Sequence, residues 1–373
     1  MNASEPGHAT MPLASSADEP GARSTTRPAP TTRPAPTTRP AATSWRWSAW
    51  RLGGALAIAA VLTGMCGLAA GSDGWSFAWA DDWELVWSIR APRTLGALLA
   101  GALLGLAGAV AQGLFRNPLA DPYLLGSAAG ANLGVVAVLS VGSLVGAGTI
   151  HLAAADALVR LGLVGAAFAG ALCGVSLTLL LARGAARPMV LLLAGVVVGV
   201  LLAALSDLLI LLSPQAMRGS QVFLLGTTGF LGWSSAALLA ATLALALPLA
   251  VGFARALDAL VLGEDSAASL GVHLPQVRLL LVATMALCTG SAVAQTGLVA
   301  FVGLVAPHLV RRCVVVTHGA LLVLSALAGG VLLQAADVAA RSIVAPQELP
   351  VGVLTALLGG AYLLVLLRRR ATA

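Results

Sequence analysis

Residues 279–310 read LLLVATMALCTGSAVAQTGLVAFVGLVAPHLV, 32 residues without an Asp, Glu, Lys or Arg. As one α-helix this stretch would be about 48 Å long, against a bilayer hydrocarbon core of about 30 Å. It therefore reads as a full span over about 278–297 and a short one over about 299–313, with Gly297 and Gly303 as the expected breaks. Outward from it, uncharged runs recur at about 52–70, 94–114, 123–142, 161–182, 189–212, 234–254, 319–340 and 350–367. Together these make ten expected transmembrane helices and an all-α polytopic membrane protein. The alternating strands of a transmembrane barrel are not seen.

Composition supports this. The chain of 373 residues is 58% hydrophobic and only 10% charged, whereas soluble domains carry about a quarter charged residues. A soluble enzyme or a nucleic-acid binder is disfavoured, despite the net charge of +6. All 21 basic residues are Arg, and without Lys the chain cannot hold a Walker A loop or a Schiff base. Cys66, Cys173, Cys288 and Cys313 lie scattered in mostly apolar sequence, and His8, His151, His273, His308 and His318 show no metal-ligand spacing, so no metal site is expected.

Residues 1–44 differ from the rest. TTRPAP at 25–30 recurs at 31–36 and nearly again at 37–42, with almost no large apolar side chain. Such a segment cannot bury enough surface to offset its ordering entropy, and it is expected to be a disordered arm ahead of a membrane domain at 45–373. Trp45, Arg46, Trp47, Trp50 and Arg51 then suit a cytoplasmic entry to the first span. With the N-terminus inside, Arg46, Arg51, Arg116, Arg183, Arg187, Arg255, Arg278, Arg311, Arg312, Arg368, Arg369 and Arg370 fall on the inner side. Only Arg90, Arg93, Arg160, Arg218 and Arg341 fall outside, in agreement with the positive-inside rule. Gly101 and Gly105, with Ala97 a turn earlier, form a small-residue face that lets helix backbones approach closely in lipid.

Several long stretches carry a resemblance. They are RAPRTLGALLAGALLGLAGAVAQGLFRNPLADPYLLGSAAG at 90–130, LLLAG at 191–195, LGEDSAASLGV at 262–272, GLVAFVGLVAPHLVRR at 297–312 and APQELPVGVLTALLGG at 345–360. From about residue 52 to 370 the chain resembles the FecCD-type permease subunits of ABC importers for iron-siderophores, haem and cobalamin. The resemblance implies a ten-span transport subunit and not an enzyme. It implies pairing with a second permease, most simply a second copy, together with two cytoplasmic ATPases and an extracytoplasmic substrate-binding protein. No cofactor is expected on this chain, since ATP would be used by the partner subunits. A secondary transporter, the reading from another class, would place ionisable residues in several spans, and here only Asp207 qualifies.

The resemblance also assigns roles. Arg90, Arg93 and Arg341 correspond to arginines that meet glutamates of the binding protein, as a guanidinium fork can do; a local pair of Arg341 with Asp337 is the other reading. Asn117 and Leu119, in the RNPLADP turn at 116–122, become inner-gate residues, and Asn117 or Asp121 can cap the next helix. A second gate falls at Pro188 and Met189, where the family favours small hydroxyl residues. In the inner loop 255–277, Leu257, Leu260 and Val261 suggest one apolar patch and Gly263 a break. Glu264, Asp265 and Ser266 then suit the first turn of a short helix, with Gly271 and Pro275 at its end. Leu260, Gly263, Glu264, Asp265, Ser266, Leu270 and Gly271 are thereby expected to contact the ATPase. Asp207, alone in the fifth span, should face a cavity, pair or be protonated.

Overall fold

A computed structural model describes residues 47–371 apart from 72–73, 77–81, 145–152 and 184–187. Contacts divide the chain into Met1–Trp45 and Arg46–Ala373, and the described residues belong to the second unit. The arm expected over residues 1–44 lies outside them.

Each of the ten expected spans coincides with a helix. They are α1 (Ala49–Ala69), α3 (Ala91–Leu114), α4 (Ser127–Leu144), α5 (Ala153–Leu181), α6 (Pro188–Leu212), α8 (Trp233–Gly252), α11 (Leu274–Thr296), α12 (Val302–Cys313), α13 (His318–Ser342) and α14 (Val351–Ala371). Between them lie a two-residue hairpin of β1 (Ala70–Gly71) and β2 (Gly74–Trp75) and four short helices: α2 (Trp83–Leu85), α7 (Gln215–Leu225), α9 (Ala254–Val261) and α10 (Glu264–Ser269). Sequence reading placed Arg218 in an outer segment between spans and did not anticipate α7 there.

The second span is longer than expected. Helical structure runs from Trp83 to Leu114, 32 residues, through a π turn at Val86–Arg90. Pro92 explains the turn. Its ring collides with the carbonyl four residues back and it donates no hydrogen bond, so the backbone widens just before it. Arg90 and Arg93 were expected ahead of a span starting near residue 94, yet they lie within this helical structure.

From Ala100 to Leu114 every residue of α3 is buried, as its uniformly apolar and small sequence requires. It sits against α13 on one side and touches α8, α11, α12 and α1 on the others, while α4, α5 and α6 form a second group reached through α11. The small-residue face acts as expected. A methyl group on Gly101 would overlap the carbonyl oxygen of Gly329, and one on Gly105 would overlap that of Ser325. Hydrogen bonds fix the register: Gln334 of α13 accepts from Thr63 of α1 at 2.6 Å and donates to the Thr94 carbonyl of α3 at 3.4 Å.

The uncharged run at 279–310 breaks once. Gly297 takes a φ of 65° and ends α11, and Phe301, at 67°, precedes α12. Gly303 does not break the chain, contrary to expectation. It lies inside α12, where its bare Cα packs against the Pro122 ring and the Leu104 carbonyl of α3, and the bare Cα of Gly108 admits its carbonyl oxygen. The ends of α7 and α11 and the start of α14 meet here, with Leu298 N–H donating to Phe223 at 2.8 Å and Thr227 N–H to Thr296 at 2.7 Å. Interrupted helices are tolerated at membrane depth only where neighbours satisfy the freed backbone in this way.

Gly105→Leu should force α3 and α13 apart and cost at least about 1–3 kcal/mol, the usual range for overpacking. Gly54→Leu, where a Cβ meets nothing within 4 Å, should cost little. Thermal unfolding in detergent, followed by size-exclusion chromatography, compares the two.

Candidate functional site

Polar side chains gather at the two ends of α3. Where α3 begins, Arg93, Asp337 and Arg341 form a buried triad. Asp337 is 0% exposed; its Oδ1 accepts from Arg93 Nε at 3.1 Å and from the Thr228 hydroxyl, and its Oδ2 accepts from Arg341 Nη2 at 2.6 Å. Arg93 Nη1 also donates to half-buried Glu348 at 2.9 Å. Carbonyls at and just past the end of α1, which no helical N–H reaches, are met by Arg341 and by Arg90. Arg341 Nη1 donates to Gly67 and Ala70 at 3.1 and 3.0 Å, and Arg90 Nη1 to Leu68 at 3.1 Å.

All three arginines that the resemblance placed at the docking face therefore converge. They are buried, at 8% exposure for Arg90 and Arg93 and 2% for Arg341, and much of their donor capacity is used within the chain. The local Arg341–Asp337 pair is present. Beside them opens a cavity of about 170 Å³ bordered by Ala70, Gly71, Leu85, Ile89, the three arginines and Glu348. Three guanidinium groups against two carboxylates leave its wall with a net positive charge, suited to a further anionic group. Sequence reading missed Thr228 and Glu348. The only signal for either was the acid in APQELP at 345–350.

Where α3 ends, the 116–122 turn folds as its sequence dictates. Asn117 Oδ1 accepts from Leu119 N–H at 3.0 Å, and Asp121 Oδ1 accepts from Tyr123 N–H at 2.8 Å, capping the 3-10 turn Pro122–Leu125. Burial pushes the Asp121 carboxyl above its usual range, opposed by that N–H. Asn117 and Leu119 are both exposed. Gln112 of α3 accepts from Arg311 and donates to the Leu304 carbonyl at 3.1 Å, joining α12 to the same end.

The 255–277 loop forms the two short helices expected of it. Gly263, at φ 109°, separates α9 from α10, and Gly271, at 82°, follows α10. Leu257 and Leu260 are buried, but Val261 is 63% exposed and does not join their patch. Val261 is the last residue of α9 and lies beside exposed Leu262 at the Gly263 break, past the part of the helix that packs on the core. Pro275 opens α11 and does not close α10. Asp265, Ser266, Leu270 and Gly271 are exposed, while Glu264 is only partly so. Pro188 and exposed Met189 start α6, and Asp207 lies on the exposed face of α6 among Leu205, Leu208 and Leu211. Among the described residues no group of three His, Cys, Asp or Glu could hold a metal ion.

Long apolar helices packed on a buried central pair, with broken helices near one end and a pair of short helices at the other, define a multi-pass α-helical membrane protein. The chain belongs to the FecCD transport family, which matches residues 52–369. It is similar to the cobalamin import system permease protein BtuC of Halobacterium salinarum, at 37% identity over 77% of this chain and 74% of the relative. Fe(3+) dicitrate transport system permease protein FecD of Escherichia coli is 39% identical over 75% and 84%. Hemin transport system permease protein HmuU of Yersinia pestis is 38% identical over 77% and 84%. A solved structure described as an inward-facing metal-chelate type ABC transporter superposes with a TM-score of 0.74 at 26% identity, covering 86% of this chain and 99% of that one. The chain is thus an ABC transporter permease.

Removing Asp337 would leave Arg93 and Arg341 buried without their shared carboxylate. Breaking a buried pair in this way costs about 3–5 kcal/mol. Asp337→Ala should therefore lower the unfolding temperature in detergent sharply, and Glu348→Ala, at a half-exposed partner, much less.

Proposed function

We propose that this chain is the permease of an ATP-driven importer that carries an iron-siderophore across the cytoplasmic membrane. Two copies would enclose the pathway, with ATP used by two cytoplasmic ATPases and substrate delivered by an extracytoplasmic binding protein. One observation carries this reading: the family match over 52–369 coincides with a loop that folds into two short helices, α9 and α10, with an outward face of Asp265, Ser266 and Leu270. A face of this kind suits a protein partner. The relatives' names span cobalamin, hemin and ferric dicitrate, so haem or cobalamin are the alternative cargoes.

In this reading the end of the bundle with the 116–122 turn and α9–α10 is cytoplasmic, in keeping with the arginine bias. The opposite end, with its positively lined cavity, receives acidic groups of the binding protein at Arg90, Arg93 and Arg341. Asn117, Leu119, Pro188 and Met189 border the inner gate, and the exposed face of α6 with Asp207 turns toward the pathway between the two copies. The permease itself makes and breaks no bond.

Proteoliposomes containing the permease, the ATPases and the binding protein should concentrate a radio-iron-labelled siderophore only when ATP is supplied. Permease alone should concentrate nothing. Accumulation by the permease alone under a proton or sodium gradient would contradict the reading, and preference for haem or cobalamin over the iron chelate would reassign the cargo.

A further inference from the structure

Both short helices of the 255–277 loop send a carboxylate back toward the membrane helices. On α9, Asp258 Oδ1 accepts from the backbone N–H of His318, the first residue of α13, at 3.0 Å, and lies 2.6 Å from His318 Nδ1. On α10, Glu264 Oε1 lies 2.7 Å from Nη2 of Arg278 in α11 and 3.7 Å from Nη2 of Arg116. The two connections converge on one place. Arg116 follows the end of α3 and opens the 116–122 turn, with a φ of 49°. The His318 ring lies beside Gly113 of α3, where an added Cβ would come within 3.2 Å of Cδ2.

The Arg278–Glu264 and His318–Asp258 pairs each have one buried or largely buried member, whereas the Arg116–Glu264 pair is a surface contact, with side chains 44% and 38% exposed. Arg278 is 3% exposed, so its attraction to Glu264 is screened less than that of an exposed pair. Asp258 caps the N-terminus of α13, where the helix dipole favours a negative charge. In contrast, Asp265, Ser266 and Leu270 point away from the bundle. The α9–α10 unit thus has an open face and a face fastened to the starts of α11 and α13 and, through the longer Arg116 pair, to the turn after α3.

We propose that Asp258 and Glu264 are positioning residues that transmit movement of α9–α10 to the end of α3 and the 116–122 turn. This rests on the functional reading above, in which the open face meets an ATPase. With both carboxylates in place, displacing α10 pulls on Arg116 and Arg278, and displacing α9 pulls on the start of α13. With both removed, Leu257 and Leu260 still hold α9 to the core by apolar packing, but the turn is released from α10.

The test uses the complete transporter in proteoliposomes, measuring uptake and ATP hydrolysis together, with radio-iron-labelled siderophore, haem and cobalamin presented in parallel. Asp258→Asn with Glu264→Gln preserves side-chain shape and removes both charges. The complex should still copurify with its ATPases, while substrate moved per ATP falls by about fivefold or more, the lower range of coupling between sites. Glu264→Arg combined with Arg278→Glu, which restores the pair in reverse, should recover part of the loss suffered by Glu264→Arg alone. An unchanged transport-to-hydrolysis ratio in the double variant would overturn the proposal, as would loss of the ATPases on purification, which would mean the carboxylates only hold the docking face together. A wild-type complex that imports none of the three cargoes counts against the functional reading instead.

Discussion

The structure depends on the close approach of α3 to α13. Gly101 and Gly105 face the carbonyls of Gly329 and Ser325 with no side chain between them. Lipid offers no hydrophobic drive for helix association, so contact of this kind must come from shape. Small residues supply the shape, and Gln334 and Asp337 supply the polar register along the same face of α13. Everything of functional interest is attached to this pair: the arginine cluster at one end of α3, and the turn and the short helices at the other.

The ion triad makes the attachment specific. Burying two guanidinium groups and a carboxylate costs several kcal/mol per ion before any attraction is counted. Such groups settle in one arrangement because alternatives leave a charge unpaired. Asp337 accepts from α3, from the segment between α7 and α8, and from its own helix, while Arg341 and Arg90 hold the end of α1. Four parts of the chain are thereby referred to one carboxylate. The cavity beside it is left with net positive charge on rigid supports, a sound basis for recognising an acidic surface.

Much of the fold was legible in the sequence, because lipid imposes one simple rule on helix length and charge. The ten runs of uncharged residues, the break at Gly297 and the small-residue face of α3 all derive from it. What the rule could not show was charge inside helical structure. Arg90 and Arg93 suggested a boundary, and the helix continues through them because their partners lie on distant segments. Asp337 was visible only as a neighbour of Arg341 at helical spacing; its link to Arg93 spans 244 residues and leaves no local pattern. Likewise Gly263, Glu264 and Gly271 revealed a short helix between turns, whereas the return of Glu264 to Arg278 and Arg116 is a tertiary fact. Gly303 was misread because a glycine that permits close packing looks the same in sequence as one that breaks a helix.

Hydrogen–deuterium exchange on the permease in lipid nanodiscs tests the central claim most directly. If α3 and α13 form one buried, interlocked pair, their amides from Ala100 to Leu114 and from Leu321 to Ala340 should exchange slowest and as a single cooperative unit. Asp337→Asn should speed exchange in both helices together, while α5 and α6 change little. Independent exchange of α3 and α13, or protection in α6 equal to theirs, would contradict the account.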